Sequence, residues 1–462
     1  MSSAGISFGG LASGLDTQAI IRALVAVEER PIFQMERTKK SLGQQKSLFG
    51  DLDGLLDKLT DASQSLKTTS SFLQMKATSS NEDLLTATAS STATPGTYGI
   101  KVHALAKGQV NSAGYSSPTD AIANANSTVT MQLDTGGNSY FITADSNLNA
   151  IASAINSEDD ANETGVRAEV IDTGSGATPS ERYQLVVRSA DPGADNSFTL
   201  TYDDGGTGFE DIVTDLNTDI IAAVDSRIEV NGLDIYRSSN TIADLFGGIT
   251  LELKSSDLGA EEVTVTVATD GEETSGKVKE LVDAYNAVVD FFEAQNALDE
   301  EGKAKGPLFG DTTLRSIRGN LRGIVGGAVT TTGNEAYQLL SQIGITADTK
   351  GKLEFNQSEF EEALASDENA VTSLFSDSAN GIAARLEEQI DLYTDSVDGL
   401  IKTRSDGFDR RIKQTTSRIE NAERRLVLYE QQLTTKYANL EQLLSRLQGQ
   451  GSSIGSIIQP SR

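Results

Sequence analysis

The chain has 462 residues, no cysteine or tryptophan, a single histidine and a formal net charge of −29. Without cysteine it can form neither disulfides nor thiolate sites, and one histidine leaves few means for metal binding or acid–base catalysis. The negative charge argues against a nucleic-acid partner, since such binding needs clustered lysine and arginine. Because no apolar run approaches the ~18–20 residues that span a bilayer, we expect no membrane insertion.

The charge is distributed unevenly along the chain. Residues 1–72 are neutral overall, residues 399–462 carry +5, and the residues between them carry −34. An acidic segment is typical of a solvated, self-repelling surface, whereas nearly neutral ends are freer to pack against similar segments. We therefore expect the ends and the middle to form different structures.

The first predicted element is a helix in the stretch GLASGLDTQAIIRALVAVEERP. Asp16 is a good N-cap, and Leu15 and Ile20 have the spacing of a hydrophobic staple. Pro31 is expected to kink or break this helix and to begin a second one. Apolar heptads then continue as far as Leu66, which predicts a long helix that packs against more than one neighbour.

From Asn81 to Asp270 the apolar period changes to two, which predicts strands. Asn231-Gly232 lies between alternating runs and is the strongest hairpin signal in the chain. Two short helices are also expected, one over 148–155 capped by Ser146 and one over 242–246 capped by Asn240 or Thr241.

Turn-rich segments divide this middle region. We predict an inner β domain from residues 77–107 and 223–272, with an outer β-rich domain inserted at 108–222. Residues 1–76 then form the amino-terminal tip and leg helices.

Helical spacing returns after the strands, so residues 273–398 are expected to pack on the leg as a helical return segment. Residues 399–462 are predicted to form a coiled coil and tip, because apolar residues recur every seven positions. The heptad positions are Ile412, Ile419, Leu426, Leu433, Leu440 and Leu447. Gly449 and Gly451 are expected to end the helix. The predicted fold class is α+β multidomain, with a terminal α-helical coiled-coil leg and inserted β-rich head domains.

Motifs that carry chemistry are not found. His103 alternates with Lys101 on the polar face of a predicted strand, which favours a surface histidine over a ligand. DLDG at 51–54 resembles the start of a calcium loop, but the following leucines replace oxygen ligands. Asp51, Asp53 and Asp57 are interpreted as the solvated face of a helix. We expect no catalytic, cofactor-binding or metal-binding residues and no enzyme.

The candidate functional residues are apolar positions at the two ends. In the amino-terminal leg they are Leu11, Leu15, Ile20, Ile21 and Leu24. In the carboxy-terminal leg they are Leu426, Leu433, Leu440 and Leu447. Either these residues dock into a larger assembly, or the coiled-coil members pair with each other inside one subunit, and the sequence leaves both interpretations open.

Several stretches resemble the flagellar filament capping family (FliD, flagellar hook-associated protein 2). GLASGLDTQAIIRALVAVEERPI resembles its amino-terminal signature, and TPGTYGIKVHALAKGQ resembles its first head strand. RIEVNGLDIYRSSNTIADLFGGITLEL, VKELVDAYNAVV, KGPLFGDTTLRSIRGNL and IGITADTKGKLEFNQSEFEEAL follow in the family's order. The resemblance spans nearly the whole chain and is weakest at about 110–222.

The resemblance implies a ring at the growing filament tip, expected to be a pentamer, that retains exported flagellin and promotes its folding and insertion. Implied partners are other copies of the chain, flagellin, the flagellar junction proteins and a cytoplasmic export chaperone. The implied location is extracellular, at the distal end of the flagellum. Residues 1–11 contain no lysine or arginine and no continuous apolar run, so we expect export through the flagellar channel without a cleaved signal peptide.

Two alternatives from other classes stay open at this point. A surface adhesin or glycan-binding head on a helical stalk would suit the acidic, threonine-rich middle, and it could also be a second role. An enzyme is the third class and has the least support. The two apolar ends favour docking into an assembly over both.

Overall fold

A computed structural model describes residues 16–122, 128–174, 181–202, 216–256, 261–330 and 336–457. The chain divides into two compact units. The helical unit contains residues 1–72 and 275–462, and the strand-rich unit contains residues 73–274. Long helices and several small antiparallel sheets are both present, which confirms the predicted α+β multidomain class.

The helical unit is dominated by two long helices from the two ends of the chain. Its helices are α1 Thr17–Gln64, α2 Thr69–Phe72, α4 Gly271–Gln295, α5 Thr312–Gly326, α6 Gln357–Ser366, α7 Glu368–Ser376, α8 Ile382–Thr394 and α9 Leu400–Ile457. A hairpin of β16 Ile345–Ala347 and β17 Leu353–Phe355 completes it.

Helix α1 begins where the sequence predicts. The Asp16 carboxylate accepts a hydrogen bond from the Ala19 amide at 2.8 Å and thereby satisfies one free N–H of the first turn. The prediction that Pro31 interrupts the helix is wrong, since α1 continues through it. A proline removes a single ladder hydrogen bond, and buried Ile32 and Leu42 anchor the helix on its carboxyl side.

Helices α1 and α9 run antiparallel. The Phe49 and Phe408 rings lie 5.7 Å apart, and Lys46 Nζ lies 2.6 Å from Asp409 Oδ1. Farther out, Met35 lines a groove with Tyr429, so residue numbers fall along α1 as they rise along α9. The predicted end of α9 at Gly449 is wrong, because the helix continues to Ile457. Glycine weakens a helix by about 1 kcal/mol without forbidding it.

The inner part of the strand-rich unit contains two facing sheets with one core. The first sheet has the order β1-β15-β3-β11-β12 and the second β13-β14-β2. Their strands are β1 Met75–Ser79, β2 Leu85–Ala89, β3 Gly96–Ala104, β11 Ser226–Val230, β12 Leu233–Arg237, β13 Thr241–Phe246, β14 Ile249–Leu253 and β15 Val263–Thr269. Alternate side chains such as Val263, Val265 and Val267 are buried between the sheets, as the period of two predicts.

The short helix predicted over 242–246 is wrong, because Thr241–Phe246 is a strand that pairs with β14. Asn240 cannot cap a helix there, since its side chain accepts from the Ala106 amide and donates to the Ala106 carbonyl. Ile242 is buried opposite Leu251. Tertiary pairing therefore overrides the local capping signal.

The predicted hairpin at Asn231-Gly232 is confirmed between β11 and β12. Asn231 has φ 49° and Gly232 has φ 86°, the left-handed pair that a tight hairpin of this hand requires. Gly232 has open space where a Cβ would stand, so its constraint is conformational and not steric crowding.

Replacing Gly232 by alanine is therefore expected to destabilise the strand-rich unit by about 1–2 kcal/mol, the cost of the left-handed conformation for an L-residue. Urea unfolding of the full chain measures the loss. Gly247→Ala is the matched control, because Gly247 also has open space but is not at positive φ. Equal losses in the two variants would contradict the conformational explanation.

The outer part of the strand-rich unit has its own core. The sheets β10-β4-β8-β7 and β6-β5-β9 bury one cluster together with the helix α3. The elements are β4 Val110–Tyr115, β5 Thr128–Thr135, β6 Asn138–Asp145, α3 Leu148–Asn162, β7 Val166–Asp172, β8 Tyr183–Ser189, β9 Phe198–Tyr202 and β10 Asp219–Ile221. The helix predicted here is present, but its N-cap is Asn147 instead of Ser146, which is buried.

Candidate docking surface on the long helices

The distal leg comprises residues 17–46 of α1 and 409–457 of α9, beyond the Phe49–Phe408 contact. Its two helices leave open grooves between them. One groove is lined by Gly43 and Lys39 of α1 with Ile412 and Ile419 of α9, and the next by Pro31 and Met35 with their neighbours on α9. Because a filled coiled-coil seam leaves no such space, the distal leg keeps apolar surface available to a partner.

On α1, three of the predicted docking residues are described. Ile20, Ile21 and Leu24 are half-buried near the capped start of the helix. Leu11 and Leu15 lie outside the described residues. Phe33, which the sequence reasoning did not nominate, is 49% exposed on the same helix.

On α9, the two predicted residues nearest the end of the helix are the most exposed. Leu426 is half-buried and Leu433 is 8% exposed, whereas Leu440 is 41% and Leu447 is 54% exposed. Leu433 therefore fits the interpretation of pairing within one subunit. Leu440 and Leu447 present their side chains to solvent, which fits the docking interpretation.

The sequence reasoning missed other exposed apolar residues on this helix. Leu443 is as exposed as Leu447. It belongs to a second heptad line in the sequence of this helix, formed by Phe408, Thr415, Ala422, Tyr429, Lys436 and Leu443. Val427 and Leu428 are exposed one to two turns before Leu433. The second heptad line was a usable signal for Leu443. Val427 and Leu428 carry no periodic signal, so their exposure depends on where α1 lies.

At the base of the distal leg an arginine joins three helices. The Arg404 guanidinium lies 5.5 Å from the Phe49 ring centroid and 5.6 Å from that of Phe408. It also pairs with Asp311, whose carboxylate accepts from the Thr313 amide and caps α5. Cation–π contacts and the ion pair together hold α9 against α1 and the start of α5.

Asp53 differs from its prediction as a solvated residue. It is half-buried on α1, and its Oδ1 is buried without a hydrogen-bond partner among the described residues. Burial raises the pKa of the Asp53 carboxyl above its ordinary value, and the neighbouring Asp57 raises it further. The charged form is therefore disfavoured in the folded chain.

Replacing Asp53 by asparagine is expected to stabilise the helical unit at neutral pH. Since the pKa is higher in the folded than in the unfolded chain, the folded state binds this proton more tightly. The destabilisation by the charge is complete above the raised pKa and disappears as pH falls toward 3.8. Urea midpoints across this range should show a gain that shrinks as pH falls, with exposed Asp51→Asn as the control. A gain independent of pH would contradict the assignment.

Other features give little support to chemistry in the described parts of the chain. Lys101 Nζ donates to Glu229 at 2.7 Å, and His103 Nε2 lies 3.3 Å from the same carboxylate. The hydrogen bond from Lys101 holds the pKa of Glu229 below its ordinary value, so His103 contacts a carboxylate that already pairs with Lys101 across neighbouring strands. Across the described ranges, no cluster of three histidine, aspartate or glutamate side chains is arranged to hold a metal. None of the helices described is both long and apolar enough to cross a bilayer.

Comparison with known proteins matches both parts of the helical unit and the inner head. A family model for the flagellar hook-associated protein 2 N-terminus matches residues 13–109, and one for the C-terminus of the same protein matches residues 223–449. The segment between the two matches, residues 110–222, coincides closely with the region where the sequence resembles the family least. The adhesin alternative gains no support from these matches.

Curated relatives extend along nearly the whole chain. Flagellar hook-associated protein 2 of Escherichia coli K12 is 28% identical over 470 residues, covering 97% of each chain. The B-type flagellar hook-associated protein 2 of Pseudomonas aeruginosa is 26% identical over 468 residues, covering 96% of this chain and 94% of that one.

A solved structure shares the architecture. The crystal structure of the D1-D2-D3 domains of the flagellar cap protein FliD from Escherichia coli has 28% identity and a TM-score of 0.62, covering 78% of this chain and 99% of that one. Matches at both ends of the chain, relatives of the same length and this shared architecture agree. The chain belongs to the flagellar hook-associated protein 2 (FliD) family.

Proposed function

We propose that this protein is the non-enzymatic cap at the distal, extracellular end of the bacterial flagellar filament. It associates with other copies of itself and with flagellin, retains exported flagellin, and promotes its folding and insertion. The observation that carries the proposal is the family match on both sides of the inserted outer head domain. The exposed apolar residues of the distal leg support the contact with flagellin.

The finer parts of the proposal follow from the resemblance. The ring is proposed to be a pentamer closed by a head-to-tail interface. The flagellar junction proteins and a cytoplasmic export chaperone are proposed as further partners, and the chain is proposed to leave the cell through the flagellar channel without cleavage. The candidate leucines and isoleucines at the two ends are proposed as docking residues for flagellin, except Leu433, whose burial fits pairing within one subunit. The five-part domain division at 76, 107, 222, 272 and 398 also stays a proposal.

The leg is proposed to bind flagellin by burying apolar side chains that stay exposed in a single subunit. Leu440, Leu443 and Leu447 are exposed on α9, and burying a leucine contributes about 1.5–3 kcal/mol. A few such contacts give an affinity that holds the cap while still allowing it to step as each flagellin is added.

Deletion of the gene tests the proposal. We expect bare hooks or stubs on the cells and unassembled flagellin in the medium, both restored to normal by the wild-type gene in trans. Normal filaments without leaked flagellin would refute the cap function. Filaments of normal length with lost surface attachment would instead assign the protein an adhesive role.

A further inference from the structure

Helix α5 carries three arginines that have no carboxylate partner in the part of the chain that the structure describes. Arg315, Arg318 and Arg322 lie on one face, because spacings of three and seven residues return to nearly the same side of a helix. Among the described residues no carboxylate pairs with any of the three. In a chain with 67 acidic and 38 basic residues, three adjacent unpaired arginines indicate a surface kept for an external anion. We call it the arginine face.

The arginine face borders a small pocket with an apolar floor. Tyr285, Phe292 and Leu321 form the floor, and Arg318, Arg322 and Lys350 form the rim. Arg318 Nη2 donates to the Lys350 carbonyl at 2.8 Å, which fixes the rim. The floor side chains are buried and the pocket is too small to admit a side chain, so an external carboxylate meets the guanidinium groups at the rim.

The carboxylates nearest the pocket are already engaged. Glu293 lies 3.7 Å from Lys350 Nζ, and Asp290 lies 2.5 Å from Lys352 Nζ. Burial raises the pKa of Tyr285 to about 12 despite the two arginines, so its hydroxyl stays neutral. Among the described residues around the pocket, the arginines therefore have no free counter-ion.

The same unit presents an acidic surface of opposite charge. We call it the acidic ridge: Glu388, Asp391 and Leu392 of α8 with Val397 and Asp398 of the following loop, all exposed. Val397 is 84% exposed, the largest fraction among the large apolar side chains described. No cation pairs with Glu388, Asp391 or Asp398 in the described parts of the chain.

The loop of the acidic ridge is held in one shape. The Asp395 carboxylate accepts hydrogen bonds from the Val397 amide at 2.8 Å and the Asp398 amide at 2.9 Å. These bonds hold the pKa of Asp395 below its ordinary value. An ordered loop loses little entropy when it docks.

The two surfaces face away from each other. Helices α5 and α8 contact through Asn320 Nδ2 and Tyr393 Oη at 2.7 Å. Side chains two positions apart on a helix point in directions that differ by about 160°. Arg318 and Arg322 are each two positions from Asn320, so they point away from this contact on α5. Asp391 is two positions from Tyr393 and points away from it on α8. A head-to-tail interface requires two different, complementary surfaces on opposite sides of one unit. Repeating that interface gives a closed ring when the rotation from one subunit to the next adds up to a full turn.

We propose that the arginine face of one subunit binds the carboxylates of the acidic ridge of a second copy. The inference rests on the proposed ring and names its interface. Charge complementarity favours contact between the arginine face and the acidic ridge over contact between two like surfaces, and it steers their association.

Sedimentation velocity of the purified full chain tests the interface at about 0.15 M salt. Arg315→Glu with Arg322→Glu is expected to weaken self-association about tenfold or more, and so is Asp391→Arg with Asp398→Arg. All four residues are exposed, so folding should be retained. The chain that carries all four changes reverses both surfaces and should regain association.

The matched control for the arginine pair is Lys58→Glu with Lys413→Glu, two exposed lysines elsewhere in the helical unit that give the same change in net charge as that pair. It should associate like the wild type. The proposed interface would be overturned if both double variants associated as strongly as the wild type. It would also be overturned if the chain with all four changes associated no more strongly than either double variant.

Two further results would also overturn the proposed interface. Neither would bear on the cap function, which the gene deletion tests separately. One is a wild-type chain that stays monomeric at every concentration. The other is a reversal pair that loses binding to flagellin filament ends while it self-associates normally, since the arginine face would then bind flagellin.

Discussion

Replacing Leu440 and Leu447 by glutamate is expected to stop filament elongation and to release flagellin into the medium, while the protein stays folded and is exported. Both side chains are exposed on α9, so the change opens no cavity and buries no charge within the subunit. Docked against flagellin, each leucine would contribute about 1.5–3 kcal/mol. Losing both corresponds to at least about a hundredfold weaker docking.

Complementation of a deletion strain measures this effect through filament length and extracellular flagellin. Thr435→Glu with Gln442→Glu is the matched control, because it places the same charges at the same seven-residue spacing on exposed polar positions of α9. Loss of elongation in both variants would mean that charge alone disturbs the leg. Normal filaments with the leucine variant would contradict a docking role for these two residues.

Replacing Phe49 by alanine is expected to destabilise the helical unit by about 3–5 kcal/mol, the usual cost of truncating a buried phenylalanine. Phe49 is fully buried and contacts both the Phe408 ring and the Arg404 guanidinium. Its loss would leave a cavity and remove one of the two rings that hold Arg404. The base of the distal leg should therefore loosen first.

Urea unfolding followed by helical circular dichroism measures this loss. Phe33→Ala is the control on the same helix, because Phe33 is half exposed and its truncation should cost under about 0.5 kcal/mol. A loss at Phe49 no larger than that at Phe33 would contradict its place at the centre of the base.

The elements that the sequence predicts well are those with a strong local signal. The unbroken heptads from Ile412 to Leu447 predict α9, Asp16 predicts the start of α1, and Asn231-Gly232 predicts its hairpin. In each case the residue that specifies the structure lies within the element itself.

The prediction from sequence fails where the local structure depends on a segment that is distant in the chain. Asn240 has the local chemistry of a cap, but its side chain is bound to Ala106, 134 positions earlier, and the following residues pair as a strand. Pro31 and Gly449 are local breakers that the long helices tolerate.

The candidate site was predictable in type but not in detail. The heptad pattern treats Leu433, Leu440 and Leu447 alike, yet Leu433 is buried and the other two are exposed, a difference that the repeat alone does not contain. The arginine face could not be found from sequence either. Its isolation is visible only once the β16–β17 hairpin brings Lys350 beside Arg318.

The exposed end of α9 is proposed to touch flagellin at the growing tip. A photoreactive amino acid at Leu440, in the full chain expressed in growing cells, tests it most directly, with the same probe at buried Leu433 for comparison. We predict a covalent adduct with flagellin from position 440 and mainly intramolecular products from position 433. Position 440 giving no flagellin adduct in cells that assemble normal filaments would contradict the claim.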